Sequence, residues 1–594
     1  MNNLQVELVL DELFDRLELD CSILQKLSWS QSLSTYLKMQ YVASYGGSYL
    51  DFYTKYLPNL GKALDAGFRT GYVNWPFEST SPMFRVSILG KLYEHICDPD
   101  GFLLPEPSAS AIKHVRQICF FAYKLKLPYS KEQEDAVIQR FLKNEEEVSA
   151  LILPRDHVLS YARTLVTDLM KGFDPEIITP RHGPGAVSTG EVGEEKWAFK
   201  RRYSNLDTRY RQWKYFYAGK PHVFDSVSDY RHLERLESGT AKVILVQKDS
   251  RGPRLISCEP LEYMFIQQGL GRALMAHVES RRVGINFSSQ SFNQSAALES
   301  SRTFKLATLD LEDASDRVSL ALVKELFADV PDVLQCLIAA RTAQTVLPDG
   351  TTVSQRKFAP MGSATCFPVE SICFWAIVTS VLVVESKVKR KIASKSVLVY
   401  GDDIIVPTSA SKAVIEGLER YGLKVNRNKS FYTGPFRESC GMDAYLGVRV
   451  TPFRLRSLPP SSKDDVSAIA SWVSLGNALS PELYTETASY ILSMVEKVIG
   501  KLPYGTVRAS YLCRVVTSSQ MAENYNVRHF EWRYNGKTFQ VEFNFSALVS
   551  KKKKTELDGY IRLLRNFTVG AGDDPSSQTV KDSVQIRRRW SSTH

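Results

Sequence analysis

The sharpest alternation of apolar and polar positions lies between residues 301 and 455, where short apolar runs are interleaved with helical periodicity. Val397, Leu398, Val399 and Tyr400 form one run, and Ile404, Ile405 and Val406 another. β-branched and aromatic runs of this length favour strands. Gly401 and Asp402 between them suit a tight turn. Residues 397–407 are therefore predicted to form a hairpin with Asp402 and Asp403 at its tip. Upstream, residues 306–311 read as a strand with Asp310 near its end. Asp313 and Ser315 are helix-capping types, and the apolar positions Val318, Leu322 and Leu326 predict a helix after them. Between the two units, Gly362, Ser363 and Ala364 make a small-residue turn into a long apolar helix, with Pro368 near its first turn. The longest apolar run, residues 371–384, is bounded by Glu370 and Glu385 and falls short of the roughly 20 residues that span a bilayer. It predicts a buried helix in a soluble protein.

The pattern is coarser elsewhere. Residues 1–240 are mainly helical, with loops at 103–110 and 178–190. Residues 241–260 are strand-like and basic. Residues 456–594 begin helical, and a β-hairpin follows within 529–546, where Asn535-Gly536 is the turn signal. The last residues, 568–594, are polar and expected to be mobile.

Composition narrows the function classes. The chain has 594 residues, is 44% hydrophobic and carries a net charge of +10. That length suggests several subdomains, and the positive surplus suggests an anionic partner, most commonly nucleic acid. Nine cysteines without a CxxC pair read as reduced thiols rather than a disulfide framework or zinc site. The acidic, amphipathic N-terminus lacks the basic start and apolar block of a signal peptide.

The adjacent acids Asp402 and Asp403 raise a chemical question. A turn needs one Asp, and a second costs like-charge repulsion unless a cation screens it. A divalent metal removes the conflict, and Asp310 supplies a further carboxylate. The same tripeptide recurs as Gly572-Asp573-Asp574, but in a polar, Pro/Ser-rich setting that reads as a solvated loop.

The order of strand, Asp310, Asp316 and helix, then the Met361-Gly362 turn and helix, then Tyr400-Gly401-Asp402-Asp403 resembles the palm of an RNA-dependent RNA polymerase. More specifically, it resembles the replicase catalytic subunit of the single-stranded RNA bacteriophages, the leviviruses. Matching phrases include RHGPGA (181–186), INFSSQSFNQ (285–294), ATLDLEDASD (307–316), GPFRESCG (434–441) and VTPF (450–453). The resemblance covers residues 180–455 specifically; the flanks match in size and character. One departure stands out. The family pattern places Thr-Phe-Glu-Leu-Glu-Ser where Cys366-Phe367-Pro368-Val369-Glu370-Ser371 stands, so a hydroxyl that could position the nucleotide is missing, with Ser363 or Thr365 as substitutes.

The resemblance implies an α+β right-hand polymerase. Residues 1–240 would form the N-terminal region and fingers, and 241–300 fingers with a basic nucleotide-binding strand. Residues 301–455 would form the palm, an antiparallel sheet plus helices, and 456–594 the thumb and a basic tail. It also implies RNA synthesis on an RNA template with two Mg²⁺ ions, for which Mn²⁺ can substitute. Asp310 and Asp402 rank first as ligands, with Asp403 weaker. Lys429 matches the position of a lysine that protonates pyrophosphate. Lys248, Arg251 and Arg254, at three-residue intervals, suit the incoming triphosphate, and Gly362 and Ser363 would lie beside the nucleotide. Asp316 could accept a hydrogen bond from the ribose 2′-hydroxyl. No aromatic gate follows Asp310, which argues against the rival reading of a reverse transcriptase; a non-catalytic RNA-binding protein on a palm-like fold is the other rival. Residues 200–217 interleave basic and aromatic side chains, and Arg201, Arg202, Tyr210, Arg211 and Trp213 are candidate RNA contacts. His182 reads as structural. Relatives of this kind work in the cytoplasm of an infected bacterium with host elongation factors Tu and Ts and a small-subunit ribosomal protein.

Overall fold

The computed structural model describes residues 3–28, 38–39, 42, 48–75, 85–197, 199–216, 231–553 and 578–593. Helices and strands are mixed, and two apolar cores hold them. The first core gathers residues from Val158 to Val425 around the helix Cys366–Val384. That helix is apolar on every side, the signature of a helix with no solvent face. It is long and apolar enough to cross a membrane, yet it is packed inside the protein, with His157–Met170 and Ser411–Arg420 against it. The predicted buried helix is thus observed.

A three-stranded antiparallel sheet lies on this core. Leu306–Leu309 pairs with Asp403–Pro407, which pairs with Leu398–Tyr400. The predicted hairpin forms with a two-residue turn, in which Gly401 takes φ +61°. A first turn residue with positive φ is what such tight hairpins require. The helix after Asp310 differs from the prediction. A single turn, Ala314–Arg317, breaks before Leu320–Leu326, and the cap is Ser319, whose Oγ accepts from the Leu322 N–H at 2.9 Å. Asp313 has φ +50°, and its side chain makes no capping hydrogen bond to that turn. Its carboxylate instead accepts from Arg140 at 2.5 Å and Asn144 at 3.0 Å on the helix Lys131–Ala150.

The basic stretch forms the antiparallel hairpin Thr240–Asp249 and Gly252–Cys258, extended by Gln344–Val346 and Thr352–Ser354. The second core crosses the sequence-based divisions at 240 and 455: helices between residues 6 and 125 pack with residues 431–512. One contact across that core is a helix cap. The helix Thr485–Ile499 has no capping side chain of its own. Asp20, from the helix Asn3–Gln25, accepts from the N–H groups of Glu486 at 3.0 Å and Thr487 at 2.9 Å.

The C-terminal hairpin Trp532–Asn535 and Gln540–Lys553 is present, but its turn has four residues because Asn535 pairs with Gln540. The left-handed residue is Phe539 (φ +55°), not Gly536. Gln578–Ser591 adds a third strand, so part of the segment expected to be mobile belongs to a sheet. Gly572-Asp573-Asp574 lies outside the described residues.

The trans-cap yields a test. Asp20→Ala leaves two N–H groups, that of Thr487 buried, without their acceptor and should cost about 0.5–2 kcal/mol, read as a lower urea midpoint. An unchanged midpoint would show that Asp20 does not cap that helix.

Candidate active site

Strand register brings the predicted carboxylates together. Leu309 pairs with Ile404, so Asp310 leaves its strand opposite Asp403, with Asp402 in the adjoining turn. Each acid is held by a different segment. Asp310 accepts from Asn426 Nδ2 at 3.0 Å, and its backbone exchanges hydrogen bonds with Asn426 and Ser430. Asp403 Oδ1 accepts from Ser439 Oγ at 3.1 Å and the Cys440 N–H at 3.0 Å. Those residues end the strand Phe436–Ser439 at a tight turn in which Cys440 and Gly441 both have positive φ. Asn293 and Gln294 brace the same turn by bonding the backbone of Asp403 and Cys440. Asp402 is exposed. Its turn is fixed from below: the Gly401 N–H donates to Ser371 Oγ at 3.2 Å, and the Phe367 ring packs under Gly401 so closely that a Cβ there would stand 2.6 Å from it.

The electrostatics follow from this crowding. Burial, with Asp402 and Asp403 adding repulsion, pushes the Asp310 carboxyl up to about 6 even though Lys429 and Asn426 oppose the shift. Asp403 is raised by burial and by Asp402. Glu370, buried in the first turns of the apolar helix, is raised far more, by burial first and then by Asp402. Lys429 Nζ stands 3.7 Å from Asp310 Oδ1. Burial works against its charge, but Glu438 and Asp310 outweigh it and raise the ammonium's pKa.

A basic group adjoins Lys429. Lys248 and Arg254 are exposed, and the charges of Arg254 and Lys429 both reach Lys248. Arg251 is committed within its own turn, donating to Asp249 at 3.1 and 2.9 Å and lying over the Tyr123 ring at 5.2 Å. Burial disfavours the Asp249 charge, but Arg251 and Lys124 hold that carboxyl down at about 2.

Other predicted residues have different surroundings. Gly362 (φ +121°) does approach a backbone closely, but it is protein backbone: a Cβ there would stand 2.1 Å from the Ser257 carbonyl. Ser363 is buried and donates to Gln267 Oε1 at 3.1 Å. Asp316 Oδ1 accepts from Lys357 Nζ at 2.6 Å. The basic-aromatic stretch is split into a short strand and two helical turns. In it Arg201 pairs with Glu191, Arg202 with Asp207, and Tyr210 is fully buried, donating to the Pro175 carbonyl. Only Arg211 and Trp213 of the five are exposed. His182 is half-buried among Trp197, Phe199 and Phe265, and desolvation lowers its pKa to about 3, in keeping with a structural role. Cys366, where the family pattern has Thr, donates Sγ to the Ala359 carbonyl.

Sequence reasoning missed Asn426, Ser439, Ser371, Glu370 and Lys357. Among the described residues, no three His, Cys, Asp or Glu side chains already form a metal cage. The donor set nevertheless suits a hard divalent cation: oxygen-only carboxylates whose mutual repulsion a cation would relieve.

The pattern of the family described as RNA replicase, beta-chain, matches residues 130–558. The RNA-directed RNA polymerase subunit beta of Qbeta virus (strain MX1) is 34% identical over 252 residues, 42% of each chain. That of Enterobacteria phage SP is 39% identical over 250 residues, 42% of this chain and 41% of its own. The aligned segments thus span about two fifths of these relatives' length. An in situ structure of the BmCPV RNA-dependent RNA polymerase at elongation state superposes with a TM-score of 0.41 at 10% identity, covering 82% of this chain and 47% of that one; a likeness this distant carries no weight.

Asp310 gives a pH signature in the metal-free protein. Its folded pKa, about 6, lies above the roughly 3.9 of a free aspartate. The folded state therefore holds the proton more tightly, and stability falls as pH rises from about 4 to 6. Asp310→Asn should flatten that slope in thermal unfolding; an unchanged slope would show that Asp310 is not perturbed.

Proposed function

The chain belongs to the RNA replicase beta-chain family, and from that premise we propose that it is the catalytic subunit of an RNA-directed RNA polymerase, extending RNA on an RNA template from NTPs with release of pyrophosphate. The observation that carries this reading is the meeting of Asp310, Asp402 and Asp403 at adjoining strand ends, beside Lys429, whose charge in turn reaches Lys248. The reading takes residues 301–455 as palm, with fingers before and thumb after.

Asp310 and Asp402 would hold two Mg²⁺ ions, which supply activation of the attacking 3′-hydroxyl and charge neutralisation at the leaving pyrophosphate. Asp403 suits an outer role, since Ser439 and Cys440 already occupy its Oδ1. Lys248 and Arg254, exposed and without an ion partner among the described residues, would receive the triphosphate. Arg251, tied to Asp249, would shape that turn rather than grip phosphate. Lys429 would deliver the proton to pyrophosphate, and Asp316 would accept a hydrogen bond from the 2′-hydroxyl. Residues 311–315 contain no aromatic, which supports NTPs over dNTPs. Arg211 and Trp213 remain candidates for RNA contact. Host elongation factors Tu and Ts, a ribosomal protein and the cytoplasm of an infected bacterium complete the proposal.

The test is extension of a short RNA template by the purified chain with Mg²⁺, with and without host lysate. Incorporation of NTPs is expected, with a loss of about a hundredfold or more for Asp402→Asn. Preference for dNTPs, or undiminished synthesis by Asp402→Asn, would sink the reading.

A further inference from the structure

Lys357 is fully buried between two carboxylates. Its Nζ stands 2.6 Å from Asp316 Oδ1 and 3.0 Å from Glu145 Oε1, over the Phe141 ring at 3.8 Å. A buried ammonium persists only when it is paired, and here the backbone enforces the pairing, with a hydrogen bond to Asp316 and an ion pair to Glu145. Lys357 bridges to Ser319, and the flanking residues exchange hydrogen bonds: the Leu320 N–H with the Arg356 carbonyl, and the Phe358 N–H with the Val318 carbonyl. Arg341 ties down the carbonyls of Gln355, Lys357 and Phe358 from the other side. Glu145 is fixed in turn, its Oε2 accepting from the Arg356 N–H at 2.6 Å. The ammonium is therefore a fixed point, and Asp316, which remains partly exposed, is the only one of its two acid partners open to solvent.

We propose that Lys357 is the positioning residue for sugar selection: by occupying Oδ1 of Asp316 it leaves Oδ2 as the single outward acceptor for a ribose 2′-hydroxyl. The proposal rests on the polymerase reading above and deepens it. Lys357 has no exposed atom with which to touch a nucleotide, so its whole effect passes through Asp316. A carboxylate free to rotate offers either oxygen to any nearby donor, including water; one held by an ammonium on Oδ1 offers only the other. Rigid acceptors of this kind discriminate strongly against a substrate lacking the hydroxyl, because the acceptor is then left unpaired.

The experiment measures kcat/KM for an NTP and its matching dNTP on one RNA template, using the full chain with whatever host lysate its synthesis requires. The variant is Lys357→Met with Glu145→Gln, which removes both buried charges so that neither is stranded. The NTP/dNTP ratio should fall roughly ten- to hundredfold, chiefly through a higher KM for the NTP. Asp316→Ala should give a similar fall, and adding it to the double variant should produce little more. Lys357→Arg keeps the charge but replaces the single contact with a planar fork, so it should also lower the ratio; it covers the case in which the uncharged variant does not fold. NTP and dNTP rates falling together at a constant ratio in both Lys357 variants would make the lysine merely structural and overturn the proposal. A wild-type chain that favours dNTPs or incorporates neither would instead overturn the polymerase reading, and this proposal with it.

Discussion

The constraint on which the rest depends is the repulsion between carboxylates that the sheet forces into one place. Asp310 and Asp403 sit opposite each other because strand register puts them there, and Asp402 follows from a two-residue turn with no slack. Local preference would never assemble this group. Each acid is instead tied to a separate piece of chain: Asn426 for Asp310, the Ser439–Cys440 turn for Asp403, and Ser371 with Phe367 beneath the turn of Asp402. The large buried core around the apolar helix supplies the rigidity, and the repulsion left between the acids invites a cation.

The basic hairpin beside Lys429 has complementary logic. Basic groups are not all equivalent there. Arg251, though exposed, is spent on Asp249 and lies over the Tyr123 ring, whereas Lys248 and Arg254 have no ion partner among the described residues. A structural ion pair at the tip of the basic hairpin thus separates a committed cation from two that are left unpaired among the described residues.

The carboxylate hairpin, the Asp310 strand and the buried helix were legible because each is encoded locally, by period-two runs, a Gly-led turn and an all-apolar stretch. What holds them was not, because it comes from far along the chain: Ser439 meets Asp403 and Lys357 meets Asp316 only after folding. Phrases such as INFSSQSFNQ and GPFRESCG carry a physical meaning visible only in three dimensions, since Asn293 and Gln294 of the first brace the Ser439–Cys440 turn of the second. The basic-aromatic stretch misled for the converse reason. Interleaved arginines and tyrosines read alike whether they meet RNA or, as Arg201, Arg202 and Tyr210 do, bury themselves against carboxylates and carbonyls. The Asn535-Gly536 signal found the hairpin but not its turn, whose length the pairing of Asn535 with Gln540 decides.

The contact between Asp20 and the start of the helix Thr485–Ile499 bears on the chain's history as well as its shape. A ribosome adding about 5–20 residues per second completes the first helix roughly half a minute to a minute and a half before its partner emerges. Through that interval the apolar faces that will meet residues 431–512 have nothing of their own to cover them. The core around the apolar helix, drawn from residues 158–425, can close earlier. Synthesis therefore orders assembly: the core beneath the carboxylate hairpin can close before the core that joins the two ends of the chain, and the braces at Ser439 and Cys440 arrive with the latter.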